Sequence, residues 1–503
     1  MRLSRTTWRK DRLWRFVFIG CLILGGGQGV VHAEQALEPE KSGTGGDSPA
    51  SAPESVVDPA TISAPVSVPV VDPKAAEVPS TERPKDYREG LGFAGLPLIN
   101  YNSDDGLGYG IKGALYDYGK NQKPYKTQIA LQFFFTTKHI MYHRLYFDAP
   151  KFRGSPWRLG VTFKYDRILL SNYYGIGNDA DVRYSGELGD DAAELSADEQ
   201  SARRVRIENY YTSFQRVEPT LIVNLRRDLS GPFKLFNGYR FKNSIITPHT
   251  AETLDDYADI QVSSDWTSYL EQEKPYGYSG GLMGYAQLGA IIDSRNREPS
   301  PDRGTFSELS ARAAYYKAGD SAEQEGRLPL FGGINLTVRQ FFPMPVPRLV
   351  LATRLVADVM FGDVPFYELT AFGGSQDYTG LGGDTSMRGV KSNRYRGKIK
   401  VIATPELRLT PFILYAGTQK FDIGFIAYAD VGRVWTDFSS GSDGSALHAG
   451  VGGGLRVAWN DNFLIRLDYG INPRADSTSE TDPAASTAPE NDTGFYLTFD
   501  HAF

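Results

Sequence analysis

The sequence predicts an all-β protein, a transmembrane antiparallel β-barrel of about sixteen strands behind a disordered N-terminal tether. Three observations carry this expectation. Apolar and polar residues alternate with period two over long segments, as in strands with one apolar face. Many of these segments reach about ten residues, enough to cross a bilayer at a tilt, whereas soluble strands are mostly about five or six. The connections between them are short on one side and include long ones on the other, as in outer-membrane barrels.

Composition removes the main alternatives. The chain has 503 residues, 41% hydrophobic and 23% charged, with a net charge of -6. Beyond residue 33 no window of about 18 apolar residues occurs, which excludes helical membrane spans. The single cysteine, Cys21, excludes a disulfide scaffold and Cys-based metal sites. The negative charge offers nucleic acid no general attraction.

Residues 1–33 read as a signal peptide. Arg2, Arg5, Arg9, Lys10, Arg12 and Arg15 precede an apolar stretch from Phe16 to Val31, and Val31-His32-Ala33 offers a cleavage site. Gly20 and Gly25 to Gly27 break that stretch, which is short for the alternative, a transmembrane anchor. Removal of Cys21 with the signal would leave a thiol-free protein suited to an oxidising envelope compartment. Residues 34–88 form a linker. Nine prolines fall between residues 34 and 85, and no apolar pattern there can offset the entropy of ordering, so an extended periplasmic tether is expected.

Residues 89–503 form the barrel. Strands are expected near 91–100, 106–118, 125–136, 139–148, 157–168, 209–227, 233–246, 278–293, 303–317, 329–342, 347–360, 397–410, 419–433, 447–459, 462–471 and 493–503. Alternation is clearest at the end of the chain. Phe421, Ile423, Phe425, Ala427 and Ala429 oppose Asp422, Gly424, Tyr428 and Asp430, and Phe495, Leu497, Phe499 and Phe503 oppose Tyr496, Thr498 and Asp500. Long connections at 169–208, 247–277, 361–396 and 472–492 mark the outward side. An even strand number places both ends in the periplasm of a Gram-negative envelope, with the barrel in the outer membrane.

Catalytic chemistry is not expected. No Gly-x-Ser-x-Gly elbow, phosphate loop or triad occurs, so no enzyme activity, catalytic residue or cofactor is assigned. His139 and His143 share a strand face but lie about 13 Å apart by strand rise, too far for one metal ion. The acidic run from Glu187 to Glu199 reads as a solvated outward loop. Arg354, Asp358, Arg408 and Arg466 fall on the lumen face, either tuning a pore or plugging it by pairing with one another.

Several segments carry a resemblance. They are Asn172-Tyr173-Tyr174-Gly175-Ile176-Gly177-Asn178, Asp293-Ser294-Arg295-Asn296, Phe372-Gly373-Gly374, Ser386-Met387-Arg388-Gly389-Val390, Pro405-Glu406-Leu407-Arg408, and Asp430-Val431-Gly432-Arg433-Val434-Trp435 with the terminal Phe503. In order and spacing the chain from about residue 91 resembles the bacterial surface antigen superfamily of outer-membrane barrels, the BamA/TamA-like, 85-kDa outer-membrane protein superfamily. It looks like a member without POTRA domains, because the linker is too poor in core-forming side chains to hold one. The resemblance implies that Arg388 and Gly389, in the sixth outward loop, reach into the lumen toward Glu406, Tyr428 and Asp430. Alternation independently puts those three on the polar face. The alternative is an Arg388 that sits solvated in the loop. Val390 stands where the family's motif usually ends in an aromatic. Phe499 and Phe503 would form the C-terminal assembly signal.

The function so implied is help with insertion or translocation of protein or lipid, through a weak seam between the first and last strands loosened by Gly90, Gly92 and Gly95. The alternative is a passive channel or structural barrel without assembly activity. The expected partners are outer-membrane lipid and lipopolysaccharide, the barrel assembly machinery during biogenesis, and a separate periplasmic protein. Nucleic acid is not among them.

Overall fold

The computed structural model describes residues 89–499 apart from 121, 123, 179–181, 298–299, 376–379, 417–418, 440–446, 460–462 and 474–492. The signal and linker assignments and Phe503 lie outside the described residues, as does the side chain of Phe499.

Sixteen antiparallel strands close into one barrel, each paired with its sequence neighbours and the last with the first. They are β1 (Glu89–Asn102), β2 (Gly106–Lys120), β3 (Thr127–Thr136), β4 (Met141–Ala149), β5 (Trp157–Asn172), β6 (Ser213–Asp228), β7 (Phe233–Pro248) and β8 (Gly281–Asp293), followed by β9 (Gly304–Ala318), β10 (Leu330–Pro343), β11 (Leu349–Gly362), β12 (Ile399–Ala416), β13 (Gln419–Trp435), β14 (His448–Trp459), β15 (Phe463–Ile471) and β16 (Thr493–Phe499). All sixteen expected segments are strands, most with ends within a few residues of the expected ones.

The two faces invert the order of a soluble protein. Leu115, Phe133, Leu145, Phe163, Phe241, Leu309, Ile334 and Phe425 are exposed on the outside, while Lys242, Glu308, Asp358, Lys400, Glu406, Asp430 and Asp468 are buried within. Such a surface is stable only against lipid, because the hydrophobic effect favours removing the outer belt from water.

The loop end is more structured than the sequence suggested. The β5–β6 connection forms helix α1 (Ala197–Tyr211), and β7–β8 forms α2 (Ala251–Ala258) and α3 (Tyr269–Glu273). Helix α1 delays the start of β6 to Ser213. Its first turn is held by a capping box in which Ser196 accepts from the Glu199 backbone and Glu199 accepts from Ser196. Asp191 pairs with Arg203 at 2.7 Å, so the acidic run supplies both a helix cap and an ion pair. The helices bury Ile207, Tyr210, Leu254, Ile260 and Trp266 in a small core of their own.

His249, beside this core, meets Tyr210 edge to face. Burial pushes its pKa from about 6.5 down to about 4. The unfolded loop would take up a proton below about 6.5 and the folded cap only below about 4, so stabilisation is complete above that window and is lost as pH falls through it. Limited proteolysis within 173–280 is therefore expected to accelerate between about pH 7 and about pH 4.5. His249→Phe should flatten that pH dependence.

Candidate functional site: a lumen-spanning sixth loop

The β11–β12 connection, the sixth at the loop end, folds down into the lumen. It carries Arg388, whose side chain is 1% exposed. Arg388 Nε and Nη2 donate to the two oxygens of Asp430 at 2.9 and 3.2 Å. Nη1 donates to Glu406 and to Asp468, both at 3.1 Å. The Arg388 backbone N–H also donates to Asp430 at 3.0 Å, and the guanidinium lies 3.2 Å from the centre of the Tyr428 ring. Glu406 is on β12, Tyr428 and Asp430 are on β13, and all face inward by the alternation of their strands.

The charges balance locally. Arg408 donates to Glu406 at 2.7 Å and Arg456 to Asp468 at 2.5 Å, and Arg466 lies 3.8 Å from Asp468 and 2.8 Å from Asp384, so four guanidinium groups face four carboxylates. Thr404 donates to Asp430 at 2.8 Å. Taking a charge out of water costs several kcal/mol, recovered only where partners and remaining lone pairs are satisfied.

Asp468 lies on β15, two strands beyond Asp430. Between His448 and Arg456, the inward positions of the strand between them are Gly450, Gly452 and Gly454, so no side chain at that height stands between the guanidinium and Asp468. A methyl group on Gly450 would collide with the Arg388 carbonyl, and one on Gly470 would lie 2.8 Å from the Arg388 carbonyl carbon. Gly389 adopts φ 91°, the left-handed region open to glycine. The loop backbone thus lies directly on the wall.

A second anchor holds the start of the loop on the neighbouring strands β9 to β11. Asp358 on β11 receives both Arg312 Nη atoms at 2.8 and 2.9 Å. It also accepts from Asn335 at 3.2 Å and from the backbone N–H of Gly373 at 2.8 Å, with Lys400 Nζ at 3.4 Å. Glu308 accepts from the Ser375 backbone at 2.7 Å. The other lumen charges serve the loop as well. Arg354 donates to the carbonyls of Thr385 and Ser386, and Arg466 pairs with Asp384 at 2.8 Å. Val390 is buried with Tyr174, Phe372, Leu381, Met387 and Tyr395. The Asn172–Asn178 segment joins this packing, with Asn178 bonded to both the N–H and the carbonyl of Val434.

Two contacts tie the loop to the strands where the barrel closes. Tyr496 on β16 accepts from the Gly389 N–H at 3.1 Å. Asp104, in the β1–β2 turn, accepts from the Ser392 N–H at 3.2 Å.

Arg388, Gly389, Glu406, Tyr428 and Asp430 are therefore brought together. Sequence reasoning missed Asp468, Arg456 and the Asp358–Arg312–Gly373 anchor. The glycine run on β14 was a signal for the first of these. No group of three or more His, Cys, Asp or Glu able to hold a metal is present among the described residues.

A family model described as the Omp85 superfamily domain matches residues 127–499. No curated protein matches the chain. Among solved structures it is similar to BamA from Haemophilus ducreyi lacking POTRA domains 1–3, at 13% identity, 82% of this chain, 70% of that one and a TM-score of 0.47. It is also similar to CdiB from Escherichia coli, at 12% identity, 82% and 62% coverage and a TM-score of 0.47. CdiB from Acinetobacter baumannii matches at 12% identity, 82% and 60% coverage and a TM-score of 0.43.

Arg388→Ala leaves four carboxylates facing three guanidinium groups, with Asp430 losing its guanidinium partner, and a loss of about 3–5 kcal/mol is expected. It should appear as less heat-resistant folded barrel on gels and faster proteolysis of the sixth loop. Asp358→Asn keeps the shape but removes the charge opposite Arg312 and Lys400. It should expose the Phe372–Ser375 segment to protease while leaving the Arg388 anchor protected.

Proposed function

The chain belongs to the Omp85 superfamily, and from that membership we propose that it assists insertion or translocation of protein or lipid at the outer membrane, through the seam between β1 and β16. One observation carries this reading. Among the described residues β1 and β16 are paired at two positions, Tyr101↔Leu497 and Asn102↔Tyr496, beside hydrogen bonds between Ser103 and Phe495. β1 pairs with β2 along nearly its whole length, from Glu89↔Lys120 to Asn102↔Gly106. Both strands continue past these pairs, and among the described residues no pair joins Asn100 to Thr498.

An edge with free N–H and C=O groups is a template for an incoming strand or a gap for a lipid. Inside a membrane those groups lack water, so a partner that supplies hydrogen bonds is favoured there. Gly90, Gly92 and Gly95 lie on this edge strand and contribute no packing of their own. The sixth loop, anchored inside the lumen along the wall from β9 to β16, favours this reading over a steady open pore. The linker, as a periplasmic tether, would serve a separate periplasmic partner.

A lock tests the seam. In a Tyr101→Cys/Leu497→Cys protein, oxidation should leave the barrel folded but abolish its acceleration of the insertion of an unfolded eight-stranded test barrel into liposomes. Reduction should restore it. Acceleration that survives a complete lock removes seam opening from the mechanism.

A further inference from the structure

The turn end of the barrel carries one patch with an unusual charge balance. At several turns of this end the cations are answered by carboxylates. Lys126 meets Asp117 at 3.1 Å, Lys234 meets Asp293 at 3.1 Å, Arg297 meets Asp302 at 3.4 Å, and Lys420 meets Asp422 at 2.9 Å. The β4–β5 turn and the adjoining end of β6 differ. Lys151, Arg153 and Arg227 are exposed, and none has a carboxylate at ion-pair distance among the described residues. The nearest acid in sequence, Asp228, lies on the other face of its strand, 3.9 Å from Arg226.

Two of these cations lie over aromatic rings instead. Arg153 is 5.4 Å from the centre of Phe152, and Arg227 is 5.7 Å from that of Trp157. Trp157 and Arg227 are direct partners in the β5–β6 register. Arg153 has φ 52° within a short 3-10 turn, Phe152–Gly154, closed by Ser155 donating to the Phe152 carbonyl at 2.7 Å. Above the turn the outer face continues into Leu145, Phe163 and Leu221, all exposed. The patch therefore sits at the lower edge of the lipid-facing belt, with its rings at the apolar boundary and its cations just beyond. An aromatic at that boundary is stable because its ring contacts lipid while its polar edge meets water. Unanswered guanidinium and ammonium groups at the same height match phosphate.

We propose that the β4–β5 turn and the end of β6 form a binding site for the headgroup of an anionic phospholipid, with Lys151, Arg153 and Arg227 on the phosphate and Phe152 and Trp157 against the start of the acyl chains. The placement at the edge of the apolar belt favours a lipid over an acidic protein segment, which would need a surface clear of the bilayer. Each cation near an anionic leaflet contributes roughly fivefold to local enrichment before screening by salt. The site is independent of whether the seam opens.

The test uses the full barrel in nanodiscs of phosphatidylcholine, with the other tryptophans replaced by phenylalanine so that Trp157 alone reports. Brominated phosphatidylglycerol should quench Trp157 as though enriched at least about threefold over brominated phosphatidylcholine at equal mole fraction. Lys151→Gln/Arg153→Gln/Arg227→Gln should equalise the two lipids, with folding checked by heat-dependent gel mobility. Lys151→Arg/Arg153→Lys/Arg227→Lys should retain the preference. Equal quenching in the unsubstituted patch, or a preference that survives the glutamine variant, overturns the site. Loss of the preference on adding inorganic phosphate or polyglutamate at matched ionic strength also overturns it, in favour of a free anion or an acidic protein. The discs are symmetric, so neither membrane orientation nor insertion activity enters the result.

Discussion

Arg388 is the constraint around which the barrel interior is organised. A guanidinium carried into the lumen and buried to 1% exposure must be neutralised where it stops. Asp430 provides a two-point match to its fork, Glu406 and Asp468 take the remaining nitrogen, and Tyr428 covers one face. Each partner is then itself committed, Glu406 to Arg408 and Asp468 to Arg456. The wall between the carboxylates has no side chains, because a single Cβ at Gly450 would push the loop off its seat. Charge, loop path and glycine placement are three aspects of one requirement.

The same loop ties together a long arc of the barrel wall. Asp358 and Glu308 hold the segment around Gly373 on one wall, and Asp430 and Asp468 hold Arg388 on another. A barrel of this size without interior contents would rest on its strand ladder alone. Here a set of charge-assisted hydrogen bonds adds to the ladder that joins β9 to β15, and low local dielectric strengthens each of them.

Much of this was legible in the sequence, for a physical reason. Period-two alternation assigns every residue of a strand to a face, so the inward placement of Glu406, Tyr428 and Asp430 needed only Ile399, Val401, Leu407 and Phe425 as markers. Pairings between distant strands were not legible, because alternation fixes a face but neither a height nor an angle around the barrel. Asp468 could be placed on the lumen face, yet its meeting with Arg388, 80 residues away, depends on glycines of a third strand. Helix α1 was missed for another reason. Its capping box, Ser196 and Glu199, lies inside an acidic run that reads as solvated, and its buried residues Ile207 and Tyr210 pack against another loop rather than the barrel. The brevity of the pairing between β1 and β16 among the described residues leaves no mark in composition.

The contacts of Gly389 with Tyr496 and of Ser392 with Asp104 give the sixth loop a hand on each side of the closure. Thermodynamic linkage then makes the two elements reciprocal: whatever parts the strands must also disturb the loop, and whatever withdraws the loop must loosen the strands by an equal free energy. A ligand, a lipid composition or a substitution acting on one end of that cycle would be felt at the other without travelling through the rest of the wall.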